Sequence, residues 1–267
     1  MKNLKYYLNK AKKDKWAVGQ FNFSTLEHLR GILEAARNTK SPVILGASEG
    51  ELNYMGLEET IALVEIYRKK MKIKAFLNLD HGKDLSIISK CIKAGFDYIH
   101  FDGSFLPVED NIKILKKVVK KAGSSVLIEG EKDNIEKMTL SSAEESADFS
   151  KRTGIGSLAL ALGNSHGYFK EVNLNFERLE EISKKTDCFL VLHGGSKIPD
   201  EQIRKAISLG IVKININSEL RMAWKENLAS SLAGDELKPY KILPAAKEAV
   251  QKKVEEKIKL FGSFGKI

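Results

Sequence analysis

An apolar segment that stops abruptly at polar residues constrains this chain more than any other feature. The segment, residues 75–79, leads directly into Asp80, His81 and Gly82. A short apolar run is typical of a parallel strand that is covered on both faces. The carboxyl end of such a strand is where an α/β sheet or barrel presents its chemical groups. An Asp-His pair alone is a weak signal, because histidine is often only a satisfied polar group.

Two later apolar segments end in the same way, and this repetition strengthens the signal. One leads into His166-Gly167 and the other into His193-Gly194. Three of the five histidines therefore follow apolar segments, and each is itself followed by glycine. Three unrelated strand-end histidines are the simpler alternative, but the shared position and the shared glycine favour a common site.

Length and composition describe a globular chain. A length of 267 residues is compatible with one domain, predicted to span residues 1–267, if strand and helix units repeat. The content of 43% hydrophobic and 30% charged residues is ordinary for such a domain. The net charge of +9 raises the question of nucleic acid, but the lysines fall mostly in amphipathic segments such as residues 111–120. We therefore expect anionic metabolites, and not nucleic acid, as partners.

The cysteines and the apolar segments indicate the cellular compartment in which the protein is expected. Cys91 and Cys188 have no paired spacing and are predicted to be small buried residues in a reducing environment. No apolar run approaches the length that spans a bilayer, and no membrane partner is expected. The sequence therefore predicts a cytoplasmic protein.

Strand and helix patterns alternate along the whole chain. Three strands are those that end at His81, His166 and His193, and the other five are predicted at residues 16–23, 42–48, 98–104, 125–131 and 212–218. Helices are predicted at residues 25–38, 57–70, 84–94, 107–123, 175–185, 199–209 and 219–232, with another ending near 154. The stretch around residues 50–56 is predicted to be a loop, and a last amphipathic helix is predicted at about 245–260. Eight strands alternating with helices predict an α/β protein, a (β/α)8 TIM barrel with an additional C-terminal helix.

A barrel of parallel strands brings all strand exits to one face. His81, His166 and His193 would then lie together, and neutral imidazoles suit a divalent transition metal. A catalytic zinc site takes about three protein ligands and leaves a position open. Glu129 and Glu131, at the end of the fifth strand, are the candidates for a carboxylate ligand, and alternation sends both to the same face.

A second group of residues is suited to phosphate. A glycine-rich turn after the seventh strand leads toward a helix opened by Pro199, so bare backbone amides lie near a positive helix end. Polar residues that end the eighth strand add donors on the same side, where many barrels hold phosphate. The residues of the two segments are Gly194, Gly195, Ser196, Asn215, Asn217 and Ser218.

The motifs together resemble the class II, metal-dependent ketose-bisphosphate aldolases that act on fructose and tagatose bisphosphates. The resemblance runs over about residues 17–261. It is carried by residues 18–22, 41–46, 79–82, 102–104, 163–167, 192–196 and 213–218.

The resemblance implies a set of roles. One Zn²⁺ ion per chain is implied on His81, Glu131, His166 and His193, with Asp102 beside it. Asp80 is implied as the acid and base, and Asn215 as a catalytic residue that holds the triose. The implied substrate- and phosphate-binding residues are Asn22, Ser48, Gly167, Gly194, Gly195, Ser196, Lys197, Asn217 and Ser218. A monovalent cation near the phosphate is a further candidate, and a homodimer or homotetramer is expected.

The implied activity is reversible aldol cleavage of a ketose 1,6-bisphosphate to dihydroxyacetone phosphate and glyceraldehyde 3-phosphate, as in glycolysis and related carbohydrate metabolism. Zinc would polarise the carbonyl as a Lewis acid. Asp80 would take the C4 hydroxyl proton in cleavage and return it in condensation. The choice between fructose and tagatose bisphosphate stays open, because it depends on side-chain positions around C4.

Three departures from the family pattern support an alternative. The loop after Glu131 is short and lacks the family's proton-exchanging glutamate, for which Asp133 and Glu136 are the stand-ins. Lys197 takes the place of a glycine, and residues 238–240 replace an Asp-Pro-Arg motif. The alternative is a metal- and sugar-phosphate-binding relative with little catalytic activity. His28 and His100 are not expected to bind metal.

Overall fold

The computed structural model describes residues 3–135, 140–165 and 173–267. Eight parallel strands close into a barrel in which each strand pairs with its neighbours in sequence, and the eighth pairs with the first. The strands are β1 (Val18–Asn22), β2 (Val43–Ser48), β3 (Ala75–Gly82), β4 (Tyr98–Asp102), β5 (Leu127–Glu131), β6 (Ser157–Leu160), β7 (Phe189–Leu192) and β8 (Ile211–Ile216). The predicted (β/α)8 barrel is confirmed.

Helices surround this barrel. Within the described ranges they are α1 (Leu4–Asp14), α2 (Leu26–Asn38), α3 (Glu49–Met55), α4 (Leu57–Met71), α5 (Leu85–Lys93), α6 (Val108–Ala122), α7 (Ala143–Thr153), α8 (Phe176–Lys185), α9 (Asp200–Ser208), α10 (Ser218–Leu232) and α11 (Pro239–Leu260). Among the described residues, no helix has both the length and the apolar character that a membrane span requires. The additional C-terminal helix, α11, packs against α2 and α10.

The sequences of the strands are mostly apolar because both sides of the barrel wall are covered. Every residue of β1, β7 and β8 is buried. The outer side packs on the helices, and the inner side fills the barrel, so neither face can be polar throughout.

A separate apolar cluster closes the amino-terminal end of the barrel. α1 contributes Tyr7 and Leu8, which pack with the buried Trp16 and with early strand residues such as Ile44 and Phe76. The sequence had not suggested α1, whose side-chain cap comes from Asn3. This cluster fills the amino-terminal end of the barrel.

Two segments differ from the sequence prediction. Residues 49–55 form the helix α3 and not a loop, because Ser48 and Glu51 make a reciprocal capping box that outweighs the flexibility of Gly50. α11 begins at Pro239 and not near residue 245, because Pro239 suits a first helical turn and Pro244 is accommodated within the helix.

One irregularity in the barrel lies at its chemically important edge. Leu79 pairs with Ile99 and Gly82 pairs with Phe101, so β3 carries an extra residue relative to β4. His81, inside this bulge, has a left-handed backbone with φ of 51°. A bulge re-aims side chains, so Asp80 and His81 can both reach the open end of the barrel, although neighbours on a regular strand point to opposite faces.

Candidate active site

The carboxyl ends of the strands surround a cavity of about 390 Å³. Five residues predicted for catalysis or metal binding line it, namely Asp80, His81, Asp102, Glu131 and Asn215. His166 and Gly167 lie outside the described residues. The structure therefore brings together the predicted residues of β3, β4 and β5 at one opening.

His193 is buried next to the cavity-lining His81, and both of its ring nitrogens have defined surroundings. Its Nε2 is 2.6 Å from Oε1 of Glu129, so the ring proton is assigned to Nε2 and a lone pair to Nδ1. Burial lowers the pKa of His193 to about 4, which keeps the ring neutral at pH 7. This carboxylate and imidazole pairing is the usual way in which proteins orient a metal-binding histidine.

His81 is oriented by a different carboxylate. Its Nδ1 is 3.2 Å from Oδ2 of Asp102, which assigns the ring proton to Nδ1 and the lone pair to Nε2. Oδ1 of Asp102 accepts hydrogen bonds from the hydroxyl and the backbone N–H of Ser104, at 2.7 and 3.2 Å. Burial would raise the pKa of Asp102, but the hydrogen bond with His81 and the nearby His100 hold it well below its usual range. Asp102 thus stays ionised and fixes the His81 ring.

The lone pairs of the two histidines converge. Nδ1 of His193 and Nε2 of His81 are 3.1 Å apart. Two acceptor nitrogens at this distance require a shared proton or a cation. Imidazole nitrogens with a nearby carboxylate suit a divalent transition ion, so the residues present fit the metal that the sequence implies.

The structure separates the two glutamates that the sequence could not. Glu129 is completely buried inside the barrel, where Lys213 approaches its Oε2 to 2.9 Å and Tyr98 donates to the same oxygen. Burial would raise the pKa of Glu129, but Lys213 and the nearby imidazoles hold it well below its usual range. Glu131 instead lines the cavity, with Oε2 at 3.8 Å from Nδ1 of His81. Glu131 is therefore the carboxylate that faces the cavity, and Glu129 supports His193 from below.

Asp80 is held between two amides. Asn22 donates to its Oδ2 at 3.0 Å and Asn215 donates to its Oδ1 at 3.2 Å. Burial would raise the pKa of Asp80, but the neighbouring His100, His81, His193 and Lys213 hold it well below its usual range. The carboxylate is thus ionised at neutral pH and can accept a proton.

A buried glutamate that the sequence analysis missed supports this arrangement. Oε2 of Glu51 accepts from the Asn22 amide at 3.1 Å and from the backbone N–H of Ser48 at 2.8 Å. Its other oxygen is 3.0 Å from the guanidinium of Arg221. Asn22, Ser48 and Arg221 all line the cavity. The capping pattern Ser-x-x-Glu at residues 48–51 could have identified Glu51.

Four of the predicted phosphate-binding residues lie just after β7 and β8, at the same opening. The cavity is lined there by Gly194, Ser196, Asn217 and Ser218. The helix that begins at this point is α10, and the side chain of Asn217, the residue before it, does not cap its first turn. The sequence had suggested the start of α9 instead. The positive end of α10 suits an anion.

Two other predicted phosphate residues lie apart from the cavity lining. Gly195 is buried, and a β-carbon there would approach Ile214 to 2.5 Å, so glycine is required for packing. Lys197 has a left-handed backbone and lines a separate shallow depression, while its backbone N–H donates to Glu219.

The segment after β5 supplies no obvious proton acceptor among its described residues. Asn134 and Ile135 line the cavity, whereas Asp133 is paired with Lys132. Glu136, the other stand-in, lies outside the described residues.

His100 lies among the predicted metal-binding residues, although the sequence analysis had set it aside. Its ring centroid is 4.6 Å from that of His81 and 4.7 Å from that of His193. The signal that could have found it is strand alternation, because His100 stands two residues before Asp102 and shares its face.

Comparison with known proteins agrees with this site. Residues 2–266 match the family described as fructose-bisphosphate aldolase class-II. The chain is 42% identical to the probable fructose-bisphosphate aldolase of Bacillus subtilis strain 168, across 96% of this chain and 95% of that protein. It is 39% identical to the sulfofructosephosphate aldolase of Alkalicoccus urumqiensis, across 98% of this chain and 96% of that protein.

A solved structure extends the similarity to the backbone. The crystal structure of the YdjI aldolase from Escherichia coli K12 superposes with a TM-score of 0.91 at 32% identity, over 99% of this chain and 98% of that one. The fold and site define a barrel aldolase, a carbon–carbon lyase. The chain belongs to the class II fructose-bisphosphate aldolase family.

Proposed function

We propose that this protein catalyses zinc-dependent, reversible aldol cleavage of a ketose 1,6-bisphosphate to dihydroxyacetone phosphate and glyceraldehyde 3-phosphate. The observation that carries the proposal is the convergence of Nδ1 of His193 and Nε2 of His81 at 3.1 Å, beside the cavity that His81 and the ionised Asp80 line. A metal site and a proton acceptor within one small cavity are what cleavage of a carbon–carbon bond beside a carbonyl needs.

The metal would be held by His81, His193 and Glu131, with His166 as the further ligand implied by the sequence. When bound, the ion supplies Lewis-acid polarisation of the substrate carbonyl. Glu129 and Asp102 orient the two described histidines, since each accepts a hydrogen bond from the ring nitrogen that faces away from the other ring.

Asp80 handles the proton of the reacting hydroxyl. In cleavage it accepts the C4 hydroxyl proton, and in condensation it returns that proton to the new hydroxyl. Asn22 and Asn215 hold both carboxylate oxygens, so the acceptor position is fixed before substrate arrives. Glu51 in turn fixes Asn22.

The two phosphates would bind to different groups of cavity-lining residues. Ser196, Ser218 and the first amides of α10 suit the phosphate of the triose. Ser48 and Arg221 also line the cavity, and the guanidinium suits the remote anionic group. One relative is named for a sulfofructose phosphate, so the remote group is the part of the substrate most in need of a direct test.

The test is a cleavage assay with zinc-loaded protein. Fructose 1,6-bisphosphate and tagatose 1,6-bisphosphate are supplied separately, with and without a chelator. We expect cleavage of at least one epimer, and loss of that activity when the chelator removes the metal. Tight zinc binding without cleavage of either epimer would instead support a relative with little catalytic activity.

A further inference from the structure

His100 occupies an unusual position for a histidine with no role assigned by the sequence. Its side chain is completely buried on β4, and its ring makes edge contacts with the rings of both His81 and His193. A polar ring in the barrel interior must satisfy its two nitrogens or lose stability. The partners of these nitrogens are therefore informative.

The first partner is the backbone of a predicted metal ligand. The backbone N–H of His81 donates to Nδ1 of His100 at 3.1 Å. This N–H belongs to the residue with the left-handed backbone, φ of 51°, in the bulge of β3. A non-glycine residue adopts that conformation only where its surroundings hold it. His100 helps to stabilise this conformation, because its Nδ1 accepts a hydrogen bond from the backbone N–H of His81 itself.

The second partner is another predicted metal ligand. Nε2 of His100 lies 3.2 Å from Oε2 of Glu131, the carboxylate that faces the cavity. Neither atom has a fully formed hydrogen bond with any residue that the structure describes. Since Nδ1 accepts from His81, the ring proton is on Nε2 and points to the side where Glu131 lies.

We propose that His100 is a positioning residue for the metal centre, which sets the backbone of His81 and the carboxylate of Glu131 through its two ring nitrogens. The inference rests on the metal site of the proposed function. It adds that one buried ring on β4 couples a ligand of β3 to a ligand of β5. The residue touches neither metal nor substrate in this role.

Three variants separate the two contacts. His100→Leu fills a similar volume and removes both nitrogens. His100→Asn keeps an amide oxygen near Nδ1 that can accept from His81, and His100→Gln places an amide N–H nearer Nε2, where Glu131 can accept it. His28→Met is the matched control, because His28 is also buried but lies against Trp224 and Thr25, outside the metal-binding cluster.

Two quantities are measured for each protein, the zinc dissociation constant by competition with a chelator and the melting temperature with and without zinc. Loss of a residue that orients metal ligands typically costs 10–100-fold in metal affinity. We expect about that loss for His100→Leu, partial recovery for His100→Asn and for His100→Gln, and wild-type affinity for His28→Met. The increase in melting temperature on adding zinc should shrink in His100→Leu.

A purely structural histidine gives a different result. His100→Leu would then bind zinc as the wild type does, and its melting temperature would fall equally with and without zinc. That outcome would overturn the inference while leaving the metal site intact. Failure of the wild type to bind zinc would instead overturn the proposed function, so the two failures are distinguishable.

Discussion

The ammonium nitrogen of Lys213 lies 2.9 Å from Oε2 of Glu129, and both side chains are completely buried inside the barrel. Glu129 uses its other oxygen to accept from His193. The buried cation therefore stabilises the carboxylate that orients a predicted metal ligand. Burial of an ion pair costs free energy, and here the buried pair also holds in place the carboxylate that orients His193.

Replacement of Lys213 by methionine should weaken both the fold and the site. Lys213→Met leaves Glu129 buried without its cation, and the removal of one partner of a buried pair typically costs about 3–5 kcal/mol. The carboxylate then tends to take up a proton and accepts less well from His193. We expect a free energy of unfolding lower by about that amount in urea titration, and weaker zinc binding.

Lys184→Met is the matched control for this variant. Lys184 pairs with Glu180 at 2.7 Å, and both side chains are exposed on α8. Exposed pairs contribute about 0–1 kcal/mol, so stability should change little and zinc binding should not change. If Lys213→Met and Lys184→Met have equal stability, Lys213 does not stabilise the buried carboxylate in this way.

The phosphate side of the cavity can be tested with an inhibitor that resembles the triose. Ser196→Ala combined with Ser218→Ala removes two hydroxyls that line the cavity. Hydrogen bonds to charged groups contribute about 1.5–3 kcal/mol each, so phosphoglycolohydroxamate should bind at least roughly a hundredfold more weakly, with unchanged zinc content. Isothermal titration calorimetry measures the affinity of the inhibitor for the double variant and for the wild type.

Lys197→Ala distinguishes the phosphate position from the one suggested by the sequence. Because Lys197 lines a separate depression, the inhibitor should bind to this variant nearly as well as to the wild type. A loss as large as that of the double serine variant would place the phosphate nearer Lys197.

The stability of the protein should depend on pH through His28. Burial, with help from Arg221, lowers the pKa of His28 to about 4 from an ordinary value of 6.5. Between these two values the unfolded state binds more protons than the folded state, so stability falls as the pH falls. The contribution lost by pH 4 is roughly 3 kcal/mol.

His28→Asn isolates this contribution. The variant has no imidazole to titrate, so the stability difference between wild type and variant should shrink by roughly 3 kcal/mol between pH 7 and pH 4. Urea unfolding at several pH values measures it, and a difference that stays constant across this range would contradict the assignment. His193 remains in both proteins and cancels in the comparison.

The architecture was accessible from the sequence because strand and helix periods alternate regularly and three apolar segments end in histidine and glycine. Boundaries failed where a local interaction outweighed a general propensity. Gly50 suggested a loop, but the capping box of Ser48 and Glu51 made a helix. Such a competition is decided by side-chain geometry, which residue types alone do not give.

The site was predictable in its residue types and less so in its connections. The alternation of β5 could not separate Glu129 from Glu131, because both face inward. The ion pair with Lys213 of β8 identifies Glu129 as the glutamate whose charge is neutralised inside the barrel. His100 escaped notice because it does not end its strand, and its importance depends on a bulge in a neighbouring strand.

Asp80 provides the test on which the proposed activity depends. Asp80→Asn preserves the shape of the side chain but removes the charge that accepts a proton. The amides of Asn22 and Asn215 donate to both oxygens of the native carboxylate, so the new amide can satisfy only one of them. General-base assistance typically contributes about 10²–10⁴-fold to rate, and we expect cleavage of the bisphosphate to fall by at least that factor.

The metal-dependent part of the reaction should survive this change. Asp80→Asn should retain its zinc, and zinc-dependent exchange of the dihydroxyacetone phosphate proton with solvent should continue, since the Lewis acid still acidifies that carbon. Hydrogen exchange followed by NMR measures this step separately from cleavage. Asp84→Asn is the matched control, because Asp84 only caps the exposed start of α5 and should cleave at the wild-type rate. An Asp80→Asn variant that cleaves as fast as this control would show that the proton acceptor is another group, whatever metal is bound.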